Sequence, residues 1–230
     1  MQKYFSGYTY CTMEYSFHVF NKLAADGVAL SLDKLLKRDF QRKTQKMKGA
    51  GTSLTENSDL FNSPPVIVCV GSDLVIGDSL GPITGSMLRY KTQGLNVFIY
   101  GTLASPVTAK EIKYIRALLK DTHPNSQIVM VDAAVGEEGD IGLVKLSDSP
   151  LKPGAGAQKK LGAIGDVSAL GIVAEKSVAN YGLLNTTRLN LVYTMSEILS
   201  DGIASLLWNR CSKNNNASKI VDKAHREVLY

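Results

Sequence analysis

Three short apolar runs, Val66-Ile-Val-Cys-Val70, Val97-Phe-Ile-Tyr100 and Ile128-Val-Met-Val131, constrain this chain more than any other feature. Each is continuous rather than alternating, and each stops at a glycine or an aspartate: Gly71, Gly101 and Asp132. A strand buried on one face alternates apolar and polar residues, so an unbroken run of this length reads as a strand covered on both faces. Between the runs lie two stretches with helical spacing, Ile83–Tyr90 and Thr108–Leu119. In the second, Ile112, Ile115, Leu118 and Leu119 share a face, and Thr108 with Glu111 three residues on has the form of a capping box. Strand, helix, strand, helix, strand predicts right-handed crossovers and a mostly parallel, twisted sheet of the α/β class.

Downstream, Gly142–Leu146 has the form of a further short strand, Asp166–Val173 reads equally as a helix or a buried strand, and Thr187–Trp208 is a long apolar-periodic helix. Upstream, Phe17, Phe20, Leu23, Val28, Leu32, Leu35 and Leu36 recur at helical spacing and predict a helix over 16–38. Residues 42–63 are polar, rich in Gly, Ser, Thr and Asn, and read as a linker. The chain therefore divides into a helical, basic extension with its linker over 1–63, an α/β domain over 64–208 and a tail over 209–230. With 44% hydrophobic and 20% charged residues, the 230-residue composition excludes collagen, wholesale disorder and a disulfide scaffold.

The net charge of +5 is local. Lys34, Lys37, Arg38, Arg42, Lys43, Lys46 and Lys48 face a single Asp39 in one stretch. Few aromatics interleave with them, so the run reads as a solvated helix face rather than a nucleic-acid surface. Cys11, Cys69 and Cys211 are odd in number and form no CxxC pair, which suits a reducing compartment, with Cys69 as a small buried hydrophobe. The N-terminus lacks a basic segment followed by an apolar one, and no stretch nears the ~18 apolar residues of a membrane span, so a cytoplasmic location without membrane contact is expected.

In a doubly wound sheet, ligands gather at the carboxyl ends of the strands. Two carboxylates fall there: Asp78, in the loop Gly71-Ser-Asp-Leu-Val-Ile-Gly-Asp-Ser-Leu-Gly-Pro82, and Asp132, at the end of the third run. If the first and third strands are neighbours, the two side chains come within one water's reach. Such a pair suits general acid/base work, because close carboxylates share a proton and separate their apparent pKa values. A plainer reading stays open, in which Asp78 or Ser79 caps the helix starting near Pro82 and Asp132 caps a turn. The loop lacks both the Walker ending and the glycine spacing of a dinucleotide fingerprint. Gly77-Asp-Ser79-Leu-Gly81 formally matches GxSxG, with Asp222 and His225 as partners, but a nucleophile elbow needs its serine directly after a strand. His18, His123 and His225 are scattered, so neither a histidine-type metal site nor a cofactor is expected. Lys152, Gly154, Gly156, Lys159 and Lys160 belong to a glycine-rich loop that reads equally as substrate-facing or as an exposed connection.

Taken together, Val68-Cys-Val-Gly-Ser-Asp-Leu-Val-Ile-Gly-Asp-Ser-Leu-Gly-Pro82, Tyr100-Gly-Thr-Leu-Ala-Ser-Pro-Val107, Val131-Asp-Ala133, Lys152-Pro-Gly-Ala-Gly156 and Gly165-Asp-Val-Ser168 resemble the YyaC-type sporulation proteins of endospore-forming bacteria. That family is similar to the spore germination protease and, more remotely, to the hydrogenase maturation endopeptidases. The resemblance spans roughly residues 64–203. It implies a three-layer α/β/α domain of the phosphorylase/hydrolase-like kind, and an aspartate-dependent peptidase acting in sporulation or germination, inside the sporulating cell or spore. The aspartate pair of the germination protease matches Asp78 and Asp132, which become the catalytic candidates. Asp73, Ser79, Lys152, Gly154, Gly156 and Asp166 lie in matched segments and are the substrate-binding candidates. In hydrogenase maturation enzymes the corresponding acidic positions bind nickel together with a histidine; here Thr108 stands in that place. The implied partner is a peptide or protein substrate, and the reading is compatible with a homo-oligomer. The competing hypothesis is a non-catalytic sporulation factor that binds a peptide or protein in the same crevice.

Overall fold

Each of the three apolar runs forms a strand, and the computed structural model, which describes residues 12–49, 63–153, 162–176 and 187–227, places them in one six-stranded sheet. In chain order the elements are β1 (Glu14–His18), α1 (Ala24–Gly49), β2 (Val66–Cys69), α2 (Leu80–Lys91), β3 (Ile99–Tyr100), α3 (Ile112–Thr122), β4 (Ile128–Gly136), β5 (Leu143–Ser147), β6 (Val167–Glu175) and α4 (Leu189–Glu227). The sheet order is β1-β5-β6-β4-β2-β3. β3, β2, β4 and β6 pair in parallel, while β5 runs against both β6 and β1. The first and third apolar runs, β2 and β4, are neighbours, with Val66 opposite Ile128 and Cys69 opposite Val131.

Helices cover both faces, giving a three-layer α/β/α arrangement. On one face Val28, Leu32 and Leu35 of α1, Leu80 and Leu88 of α2, and Met195, Leu199 and Ile203 of α4 bury Ile67, Cys69, Val129, Val131 and Ala169. On the other, Ile112, Ile115 and Leu119 of α3 pack on Val66, Val68 and Met130. β2 is buried along its whole length, which is why its sequence shows no alternation. The same explanation resolves the ambiguous segment after Asp166. It is strand β6, central between β4 and β5 and therefore apolar toward both layers.

The helix expected over 16–38 is corrected. Residues 14–18 form an edge strand, and the helix begins at Ala24. Phe17 misled the reading because its spacing to Phe20 and Leu23 is helical; in the fold it packs from β1 onto Gly27, where a Cβ would overlap its ring. The linker expected from residue 42 is also corrected as far as Gly49, since α1 continues to that residue; residues 50–62 lie outside the described ones. So part of the segment set apart as an extension supplies a strand and a covering helix of the sheet. The basic run explains why α1 can be so polar at this end. Arg38 Nε lies 2.9 Å and Arg42 Nη2 3.3 Å from the carboxylate of Asp148, while Lys43 Nζ bridges Asp39 at 3.1 Å and Asp166 at 2.6 Å. The C-terminal helix likewise runs past Trp208 to Glu227.

α2 sits unusually close to the strand ends. A Cβ on Gly81 would overlap the carbonyl oxygen of Val70, and one on Gly85, a turn later, that of Gly101. Both obstacles are backbone, so neither can swing aside. Gly85→Ala should therefore destabilise the protein by about 1–2 kcal/mol despite alanine's better helix propensity, since overpacking costs more than the propensity returns. Urea unfolding checks this, and an unchanged midpoint would show that α2 can move away.

Candidate active site

Beyond Cys69 the chain leaves the sheet while keeping its hydrogen bonds. The Val70 N–H donates to Val131 O at 2.7 Å, the Gly71 N–H to Val107 O at 3.0 Å, and the Ser72 N–H to Asp78 O at 3.0 Å. Gly71 has φ of +143°, a conformation that L side chains rarely adopt, and a Cβ there would overlap the Asp78 carbonyl. These contacts fold residues 72–79 back over the end of β2 and close them with a short 3₁₀ turn, Ile76–Ser79. Asp78 stands on that turn, half-buried. Asp132 is the fifth residue of β4, one past the last residue paired with β2, and opposite Leu170 of β6. It therefore stands where β2 has ended and the loop arches over, only 9% exposed, with one oxygen accepting the Ala133 N–H at 2.9 Å.

Both carboxyls are raised, and Asp132 senses the charge of Asp78. Burial, opposed by the Ser72 N–H, pushes Asp78 up to about 6. Burial and then the charge of Asp78 raise Asp132 well above the ordinary aspartate value. The repulsion falls on the deeper group, so the charged form of Asp132 is disfavoured twice, by burial and by its neighbour. Neither Asp78 nor Ser79 caps α2: the start of the helix has no side-chain cap, and the Ser79 hydroxyl donates to Ile76 O at 2.7 Å within its own turn. That bond and its burial also remove Ser79 as an exposed nucleophile.

A profile of proteins described as a protein of unknown function, DUF1256, matches residues 40–202. The chain belongs to that family. The DUF1256 match contains both aspartates, the loop between Gly71 and Pro82, and every strand from β2 to β6. YyaC of Bacillus subtilis (strain 168), itself uncharacterised, is 40% identical over 141 residues, which are 61% of this chain and 68% of YyaC. A solved NiFe hydrogenase maturation protease, HycI from Thermococcus kodakarensis KOD1, aligns over 60% of this chain and 92% of its own. The identity is 21% and the TM-score 0.34, too slight a likeness to build on.

The other sequence candidates divide between the two edges of the sheet. Asp73 is exposed on the same loop as Asp78. Lys152 and Asp166, two of the substrate-binding candidates, lie instead at the opposite edge, away from Asp78 and Asp132. Asp166 accepts the N–H of Ile128, the first residue of β4, at 2.9 Å, and takes Lys43 at 2.6 Å. Lys152 is exposed after Leu151, which bridges to Ile164. The cause is the reversed direction of β5, which returns the chain to the amino ends of the parallel strands. Gly154 and Gly156 lie outside the described residues.

At the position where the resemblance called for a histidine, the Thr108 N–H and hydroxyl both donate to one oxygen of Glu111, the N–H at 3.0 Å. Among the described residues no three of His, Cys, Asp and Glu gather as a metal group. Two carboxylates without an imidazole are hard oxygen donors and do not fit nickel. A concavity of about 330 Å³ lined by Arg89, Thr92, Phe98 and Tyr100 among others lies along edge strand β3 and includes neither aspartate. Among the described residues no helix is long and apolar enough to cross a membrane.

Proposed function

We propose that this chain is a peptidase in which Asp78 and Asp132 share one proton and activate water, and that it serves in sporulation, as the YyaC-type resemblance implies. The observation that carries the reading is the burial of Asp132 beside the charge of Asp78. Ionised Asp78 takes a proton from water as its oxygen attacks the peptide carbonyl, and Asp132 gives its proton to the carbonyl oxygen. On collapse Asp78 passes its proton to the leaving nitrogen, and Asp132 recovers one from the tetrahedral hydroxyl. Each carboxyl thus returns to its starting state.

The pH profile tests this reading. Cleavage of a peptide pool, followed by mass spectrometry, should follow a bell-shaped profile whose acid limb lies near pH 6. It should fall on the acid side as Asp78 becomes protonated and on the alkaline side as Asp132 loses its proton. A flat profile, or an absence of fragments at every pH, would overturn the peptidase reading and favour the non-catalytic binding factor.

A further inference from the structure

The stretch that builds α2 and β3 holds one sign of charge. Between Asp78 and Glu111 the chain carries no Asp or Glu, against the cations Arg89, Lys91 and Lys110. Lys91 is matched by Asp201 at 2.6 Å. The Arg89 guanidinium, exposed on the last turn of α2, has neither an ion pair nor a hydrogen bond among the described residues. It lines the concavity of about 330 Å³ along β3, whose other walls include no carboxylate. β3 is the last strand of the sheet, with a free side. The Ile67 N–H donates to Phe98 O at 3.0 Å, so by the alternation of a parallel ladder Ile99, the next residue, turns its own N–H and C=O away from β2. The edge Val97-Phe-Ile-Tyr100 has none of the charges or prolines that commonly blunt such a strand. Phe98 is 50% exposed, yet its ring rests on His123 at a centroid distance of 4.4 Å, and His123 Nε2 lies 2.8 Å from the Tyr100 hydroxyl.

We propose that β3 is a docking edge for an extended acidic peptide of a partner protein, which adds to the sheet as a strand antiparallel to β3. The peptide backbone pairs with Ile99, an apolar side chain covers Phe98, and a carboxylate near the C-terminal end of the peptide meets Arg89. The direction follows from the fold. Gly81, at the start of α2, touches Val70 just past the end of β2, and α2 runs back from there to Lys91, so Arg89 stands by the amino end of β3. An antiparallel strand finishes at that end, and antiparallel pairing is the stronger kind. A second copy of this chain fits less well, since its own β3 edge brings another Arg89 and no carboxylate. The groove includes neither Asp78 nor Asp132, so the proposal does not depend on the peptidase reading.

The full chain is titrated by fluorescence anisotropy with short, C-terminally amidated peptides of alternating valine and threonine that end in glutamate, glutamine or lysine. At about 50 mM salt the glutamate peptide should bind about tenfold more tightly than the glutamine one, and Arg89→Gln should erase the difference. Arg89→Glu should hand the preference to the lysine peptide. N-methylation of one alternate set of peptide nitrogens should abolish binding and of the other set leave it intact, which marks an added strand rather than a side-chain contact. Ile99→Pro should weaken binding about tenfold without loss of a ladder bond, because the N–H it removes faces outward. If that variant melts early, the exposed Arg89 variants and the methylated peptides still decide. Binding indifferent to Arg89 or to N-methylation, or no binding at about 1 mM peptide, would overturn the proposal. So would sedimentation showing that the chain alone dimerises and that Ile99→Pro makes it monomeric, which assigns the edge to a second copy.

Discussion

Asp132→Asn should abolish peptide cleavage and at the same time make the protein harder to melt at pH 7, and Asp78→Asn should do the same. The loss of a group that moves a proton in the transition state costs about 10²- to 10⁴-fold in rate. The gain in stability has a separate origin. Both carboxyls have pKa values raised by burial, Asp78 to about 6 from 3.8. The fold therefore disfavours their charged forms. Below about pH 4 both folded and unfolded states are protonated and no penalty exists. As pH rises through the window from 3.8 to about 6, the unfolded chain ionises at Asp78 and the folded one resists, so stability is lost. Above that window the full penalty at Asp78 remains, and the raised carboxyl of Asp132 adds a penalty of the same sign.

The shift at Asp78 corresponds to about 3 kcal/mol, which partial contact with water reduces to about 1–2 kcal/mol. For a chain of this size that is a rise in Tm of roughly 3–6 °C for Asp78→Asn at pH 7, vanishing near pH 4. The asparagine at 132 keeps an oxygen for the Ala133 N–H, so the exchange adds no unpaired acceptor there. Thermal melts at both pH values, beside the cleavage assay, check the pairing of effects. A variant that loses both activity and stability would mean that the aspartates hold the loop together rather than act on a substrate.

Asp148→Ala should be among the most damaging substitutions outside the crevice, lowering stability by about 3–5 kcal/mol. The Asp148 side chain is fully buried and accepts the Met13 N–H at 2.9 Å, while Arg38 and Arg42 of α1 approach it from the other side. It therefore ties β1, α1 and the end of β5 together at one point. Its removal leaves the Arg38 and Arg42 side chains, 30% and 20% exposed, without their common carboxylate. The Lys91–Asp201 pair is the contrast, since the Asp201 side chain is 56% exposed, and Asp201→Asn should cost under about 1 kcal/mol. Urea midpoints at unchanged m-value measure both. Equal, small effects would show that the buried pair is loosely hydrated and that the polar end of α1 is held by other contacts.

β2 and β4 were legible because a strand covered on both faces has nothing polar to show, and a run such as Val66-Ile-Val-Cys leaves little else to infer. The placement of Asp78 and Asp132 at the carboxyl ends followed from the same pattern plus the topology rule for doubly wound sheets. β1 was not legible. Glu14-Tyr-Ser-Phe-His is a half-exposed edge strand whose partner, β5, lies more than a hundred residues on, and Phe17 fits a helical spacing by coincidence. The extent of α1 was hidden for a related reason: its polar end is stabilised by Asp148 and Asp166, and local sequence carries no trace of ion pairs formed across the fold. Nor could sequence tell that Asp166 belongs to the far edge, since that depends on the direction of β5. Local hydrophobic pattern, then, determined the sheet's centre and the candidate carboxylates, because burial acts on every residue of a strand at once. Which distant charges pair, which way an edge strand runs and whether two aspartates feel each other were decided only by tertiary structure, because each depends on distances between segments that the chain order leaves free.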